Sequence, residues 1–172
     1  VKQSAFIPFS WQLLFAKACH PGQRMTGSFF MLSYKIGEAE TKGLRSKGVI
    51  TYVKHFALNE QENTRNGVSI WLNEQTLREI YLRPFEFTVI EADASNAMAS
   101  FTRIGASYCP ASKALITDFL RGELGMTGLV VTDMYSIGYK AEHMPTFLMA
   151  GTDIPDGELT AQNIYEQYKT GY

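Results

Sequence analysis

Cysteine is nearly absent from this chain: Cys19 and Cys109 are the only two in 172 residues, and they lie far apart. Two such thiols supply neither a disulfide framework nor the four ligands of a structural zinc site, and they leave the redox compartment open. A surplus of one charge is lacking too. The 16 Lys and Arg balance 17 Asp and Glu to a formal net charge of -1, with no basic cluster, which excludes a general nucleic-acid or membrane-surface role. No stretch approaches the roughly 20 apolar residues of a membrane span. Residues 5–18 (AFIPFSWQLLFAKA), after Lys2, loosely resemble a signal-peptide core, but Pro8, Ser10 and Gln12 interrupt it and Lys17 spoils a cleavage site. A buried or irregular segment is expected there instead. Repeats, low-complexity tracts and Pro/Ser linkers are missing as well, so the length predicts one domain, residues 1–172. The first residue is Val, from which we expect an incomplete or processed chain.

What the chain has is apolar substance. At 45% hydrophobic and 13% aromatic it can bury enough surface to offset its conformational entropy, which excludes disorder. From about residue 35 the pattern alternates. Residues 35–47 are polar and helical in character, and the β-branched run 48–53 (GVITYV) reads as a strand. After the Asn66–Gly67 turn signal, Asn73 is placed to cap a helix carrying Leu77, Ile80, Tyr81 and Phe85 on its buried stripe. Glu74/Arg78 and Glu79/Arg83 are spaced as i,i+4 pairs, and Pro84 is expected to kink or interrupt that helix. Residues 96–101 (NAMASF) give a second strand. Ser112 begins a helix with Leu115, Ile116, Phe119 and Leu120 on one side and Gly125 as its stop. Residues 128–132 (GLVVT) are a strand apolar on both faces, as a strand covered by helices should be, and 141–150 offer a further helix. This order predicts a parallel α/β fold. A complete (β/α)8 barrel takes roughly 250 residues, so the pattern alone allows a partial barrel or a smaller α/β fold.

In parallel α/β proteins the polar residues at the carboxyl ends of strands face the active side. That rule selects Lys54 and His55, Thr102 and Arg103, and Asp133. An Asp in such a place also serves as a helix N-cap, and a lone His as a structural residue, so position does not decide their roles. No Gly-rich phosphate loop, metal-ligand cluster or Ser-His-Asp order is present, and neither cofactor nor metal is expected.

Three blocks narrow the reading. KHFALNEQENTR (54–65), NEQTLREIYLRPFE (73–86) and LRGELGMTGLVVTDM (120–134) occur in the order and at the spacing of glycoside hydrolase family 3, the β-glucosidase group. The chain resembles that family from about Lys35 to Asp153, whereas residues 1–26 diverge and Arg24 inherits no role. The resemblance implies a partial (β/α)8 TIM-like barrel, normally joined to an α/β sandwich domain, in a retaining exo-acting hydrolase of terminal β-linked glucose. Asp133 would be the nucleophile, Lys54 and His55 would bind sugar hydroxyls, and Met98 would lie near the sugar. Retention needs a second carboxyl group about 5–5.5 Å from the nucleophile as acid/base. In the family this Glu usually comes from the sandwich domain, which is missing here. Glu60, Glu62, Glu74 and Glu123 are read as loop or helix-surface residues, Glu62 pairing with Arg65.

Departures from the family pattern are informative. Phe101 replaces a usual Tyr, and Met134 stands where many members have Trp, leaving Tyr135 as the nearby aromatic. Ala57–Leu58–Asn59 follow Lys54–His55–Phe56, which disfavours the N-acetylglucosaminidase branch with its Lys-His-Phe-Pro-Gly-His pattern. The expected partners are a small β-glucoside or oligosaccharide and the sandwich domain, with no nucleic acid and no membrane. The alternative is a non-catalytic truncated barrel or sugar-binding remnant, with unpaired strand edges prone to aggregation.

Overall fold

Secondary structure follows the alternation of the sequence, with boundaries moved by local hydrogen bonding. The computed structural model describes residues 27–59, 61, 63–66, 68–134, 139, 143–156 and 160–169. The divergent start, Cys19, Arg24, Glu60, Glu62, Gly67 and Tyr135 lie outside the described residues. Helix α1 spans Gly27–Arg45 and therefore begins upstream of the polar stretch from which it was predicted. The segment GSFFMLSY carries no proline to stop it. Lys42 and Arg45 occupy its last turn, where cations complement the helix dipole. Tyr34 packs on Phe87 with ring centroids 4.2 Å apart.

The first strand is displaced from its predicted position. Val49 N–H still donates to Leu44 O at 3.2 Å, so the beginning of the β-branched run closes the preceding helix. Pairing starts only at Tyr52, and β1 spans Tyr52–Phe56. Lys54 and His55 thus belong to the strand rather than following it. Three two-residue strands border the next loops: β2 is Ser69–Ile70, and after β3 (Asn96–Ala99) come β4 (Arg103–Ile104) and β5 (Ser107–Tyr108). The third principal strand, β6, is Val130–Thr132.

The strands β1, β3 and β6 form one parallel sheet in that spatial order, with Lys54 opposite Met98 and Met98 opposite Val131. Ile154 bridges to Val131, also in parallel, so each successive segment lies beside its predecessor. Alternation along a strand then sorts the side chains. Val53, Ala97 and Val130 are buried beneath the helices, whereas Lys54, Met98 and Val131 share the other, partly open face. The pairing shifts between Lys54 and Phe56, leaving His55 at the irregularity. The Lys54–His55 and Phe56–Ala57 peptide bonds are cis. A smaller sheet of β2, β4 and β5 adjoins the loops after β1 and β3, and its β4–β5 pair is antiparallel.

Between β2 and β3 runs a continuous helical stretch, α2, residues 74–92: Glu74–Thr76, a π-helical turn Leu77–Leu82, then Arg83–Ala92. Asn73 caps it as predicted, its Oδ1 accepting from Thr76 N–H at 2.8 Å. Pro84 does not interrupt it. The proline sits at the start of the final α-helical segment, where its missing N–H matters least and the π turn has already re-phased the backbone. That re-phasing moves the buried stripe. Leu82, Pro84, Thr88, Val89 and Ala92 are buried, while Leu77, Tyr81 and Phe85 pack only partly against the core. The Glu79/Arg83 pairing also fails, for the same reason. Arg83 bonds Glu86 at 2.9 Å and Glu79 accepts from Gln75 at 3.1 Å, whereas Arg78 keeps Glu74 at 2.8 Å.

Helix α3, Ala114–Glu123, is π-wound throughout and buries Leu115, Ile116, Phe119 and Leu120, the four residues predicted from sequence. Ser112 O accepts its first bonds, and Gly125 turns the chain away with φ +72°. The later helices are α4, Met144–Met149, inside the predicted 141–150, and α5, Ala161–Lys169. Among the described residues, two apolar clusters result. The larger lies between the sheet and helices α2 and α3, around Phe56, Leu82, Phe119 and Val130. The smaller joins Phe101, Tyr139, Met144 and Phe147 beyond the carboxyl end of β3.

Candidate active site

Asp133 follows the last residue of β6, two positions beyond Val131, and so lies on the same face as Lys54 and Met98. Its backbone continues the ladder by one bond, the Asp133 N–H donating to Ala99 O at 3.2 Å. Its side chain retains 11% of its accessible surface, so it can meet a substrate while largely shielded from water. His55 Nε2 lies 3.1 Å from Asp133 Oδ2, and Met134 N–H donates to Oδ1 at 2.8 Å. Among the described residues, the Asp133 side chain bonds the next amide and the imidazole of a different strand.

The electrostatics follow from these contacts. Burial opposes ionisation of Asp133, but the His55 hydrogen bond and charge, the Met134 amide and the Lys54 cation together outweigh it. The carboxyl is held below its ordinary range and is a carboxylate at neutral pH. Lys54 is affected in the opposite sense. Burial, reinforced by Arg65, lowers its pKa despite the attraction of Asp133. The site therefore holds a cation that the fold partly desolvates, beside a carboxylate that the fold keeps charged.

Of the residues selected from sequence, Lys54, His55 and Asp133 come together at one end of the sheet, and Met98 lies in register between Lys54 and Val131, the latter two residues short of Asp133. Arg103 and Thr102 do not join the carboxylate. Arg103 donates to Tyr108 Oη at 2.7 Å and stacks over that ring, and Thr102 is wholly buried. Arg65 lies over the Phe101 ring at 4.8 Å. Phe101 is itself buried against Tyr139, so the position where a hydroxyl was lost is part of the second cluster. Met134 is exposed. Glu74 and Glu123 are on helix surfaces, both bound by Arg78.

Sequence reasoning missed a buried polar layer under the site. Ser100 and Thr102 hydroxyls meet at 2.8 Å and both reach Ala57 O, at 2.6 and 3.2 Å. Cys109 Sγ donates to Phe56 O at 3.0 Å and accepts from Ala57 N–H at 3.2 Å. Tyr139 Oη donates to Ser100 O at 2.8 Å, and burial pushes its phenol pKa upward, so it stays a neutral donor. The signal in the sequence was small polar residues alternating with Phe101 directly after an apolar strand. Among the described residues, no group of three or more His, Cys, Asp or Glu side chains is arranged to hold a metal ion. Among the same residues, no helix is long and apolar enough to cross a membrane.

A helix-covered parallel sheet that gathers a carboxylate, an imidazole and a lysine at its strand ends defines an α/β domain with a carboxylate-centred site. The chain belongs to glycosyl hydrolase family 3: the profile of that family's N terminal domain matches residues 18–170. The resemblance carried by the three sequence blocks is thereby borne out. The chain is 38% identical over 102 residues to beta-glucosidase B of Emericella nidulans, covering 59% of this chain and 12% of that protein. It is 32% identical over 140 residues to thermostable beta-glucosidase B of Acetivibrio thermocellus, covering 81% and 18% respectively. Among solved structures, beta-glucosidase 3B from Thermotoga neapolitana in complex with glycerol superposes with a TM-score of 0.73 at 31% identity, covering 83% of this chain and 21% of that one. The chain thus spans between 12% and 21% of the length of these relatives.

Proposed function

We propose that this chain forms the nucleophile-bearing part of a retaining β-glucosidase, with Asp133 as the nucleophile. The observation that carries the reading is the 3.1 Å contact between His55 and Asp133 beside Lys54, in a chain whose similar proteins are named beta-glucosidases. In the first step an Asp133 carboxylate oxygen attacks the anomeric carbon while the glycosidic oxygen departs with a proton from a carboxylic acid. In the second, that group takes a proton from water, which displaces Asp133 and restores the anomeric configuration. Among the described residues, each Asp133 oxygen has one such contact, His55 at Oδ2 and the Met134 amide at Oδ1, and a carboxylate oxygen has lone pairs for more than one partner.

Lys54 and His55 bind sugar hydroxyls, and Met98, opposite Lys54 on the neighbouring strand, supplies apolar surface beside them. The acid/base carboxyl comes from outside these residues, from a sandwich domain of the kind that would account for the greater length of the relatives. The successive order of β1, β3, β6 and Ile154 supports reading the sheet as an arc of a (β/α)8 barrel, with the site at its carboxyl rim. The substrate is a small β-glucoside or β-linked oligosaccharide. A non-catalytic remnant would have no need of a shielded carboxylate held ionised by three neighbours.

The test is Asp133→Asn in the enzyme with its sandwich domain, assayed on an aryl β-glucoside with the product anomer followed by NMR. The wild type should release the β-anomer first, and the variant should lose at least three orders of magnitude in turnover, since the covalent step has no substitute. Near-normal turnover by the variant, or first release of the α-anomer, overturns the reading.

A further inference from the structure

We propose that Cys109, together with Ser100 and Thr102, is a positioning device that sets the place of His55 against Asp133. This rests on the hydrolase reading above but concerns residues to which that reading gives no part. His55 sits where the β1–β3 register shifts, between the pairs Lys54–Met98 and Phe56–Ala99, so ladder pairing at His55 itself does not fix its position. What fixes it is the next peptide along. Phe56 O accepts from Ser100 N–H at 2.6 Å and from Cys109 Sγ at 3.0 Å, and Ala57 N–H donates back to the same sulfur at 3.2 Å. One residue further, Ala57 O receives the Ser100 and Thr102 hydroxyls. Cys109 N–H in turn donates to Thr102 O at 3.0 Å, which closes the network on itself.

Cys109 is fully buried, and burial raises its thiol pKa, so the sulfur remains protonated and able to donate while it accepts. It is a poor nucleophile for the same reason. Phe56 and Ala57, held by these bonds, are also wholly buried. A satisfied buried polar network specifies one geometry strongly, because any other leaves groups unpaired. The carbonyl and amide fixed by Cys109 begin at the residue after His55, so a change in the network moves the imidazole. The sensitive quantity is its 3.1 Å approach to Asp133, and with it the acidity of the carboxyl.

The experiment compares Cys109→Ala, Cys109→Ser and Thr102→Val with the wild type, reading the acid limb of the kcat/KM profile and the Asp133 carboxyl titration by 13C NMR. Cys109→Ala should raise the Asp133 pKa by about one unit as the imidazole loosens. It should also lower kcat about tenfold at the optimum while changing KM less, as misplacement of a charge-stabilising group does. Cys109→Ser, which keeps a donor and an acceptor, should recover most of both. Thr102→Val should show the same direction more weakly, and it tests the idea where Cys109→Ala fails to fold. Unchanged Asp133 titration in a folded Cys109→Ala or Thr102→Val variant overturns the proposal. The NMR titration needs no turnover, so it judges the positioning role even if the wild type hydrolyses no β-glucoside, a result that would overturn the hydrolase reading alone.

Discussion

Lys54 and Asp133 are charged neighbours that the fold treats in opposite ways. Burial makes the lysine easier to deprotonate than usual, whereas His55, Met134 N–H and Lys54 make the aspartate more acidic despite its burial. A lysine with a lowered folded pKa destabilises the fold while it is charged, below that pKa. Lys54→Met should therefore raise the thermal midpoint at neutral pH while sharply lowering turnover, and a Tm equal to or below that of the wild type would refute this sign. For Asp133 the logic reverses. Its folded pKa lies below the unfolded value of about 3.9, so its contribution to stability is present above that pH and is lost as pH falls through the folded value. The activity should depend on the same group. His55→Ala removes the strongest contact favouring the carboxylate, so the acid limb of kcat/KM should move to higher pH, and a limb that stays in place would show that Asp133 does not govern it. At this scale much was legible. Lys54, His55 and Asp133, selected from strand ends and motif, do come together, whereas Thr102 was selected for the rim and lies buried instead, and Ser100 and Cys109 were not selected, because their contacts join segments some 43 to 53 residues apart.

Elements were predicted best where a local signal and burial agreed. Asn73 caps α2, and the apolar side of α3 is the one its spacing gave. Boundaries failed where hydrogen bonding took residues away from their neighbours, as at Val49, whose amide belongs to the helix before it. Helical phase failed where the winding changed. The π turn Leu77–Leu82 shifts every later residue of α2, and no residue type in that stretch announces it. Two glycines show how element ends are enforced. Gly125 ends α3 in a left-handed conformation, so Gly125→Ala should cost about 1–2 kcal/mol, read as a lower urea midpoint with an unchanged m-value. Gly128 has no room for a Cβ, which would strike the Ser95 carbonyl and the Asn96 side chain. There Asn96 Oδ1 accepts from Leu129 N–H at 2.8 Å and its Nδ2 donates to Thr51 O at 3.2 Å, tying the three strands together at their entry ends.

For the molecule as a whole, the parallel sheet was readable because the short runs that hold β1, β3 and β6 are separated by helical stretches. The second sheet was not, since β2, β4 and β5 have two residues each and form only when the loops meet. A latch near β6 shows how the chain returns to the sheet: Arg121 donates to Gly128 O and Gly151 O and pairs with Asp153 at 2.5 Å, while Asp153 also accepts from Val130 N–H at 2.7 Å. This places Ile154 beside Val131, where its side chain is half exposed, as Tyr52 is on β1 at the other side of the sheet. These are the positions at which further barrel strands would pair in the proposed enzyme. The central claim nevertheless concerns one carboxylate, and covalent trapping tests it most directly. Incubation of the enzyme with a 2-deoxy-2-fluoro-β-glucoside bearing a good leaving group, followed by peptide mapping, should place one fluoroglucosyl group on Asp133. A label on any other carboxylate, or steady turnover of the reagent by an Asp133→Asn variant, would contradict the account.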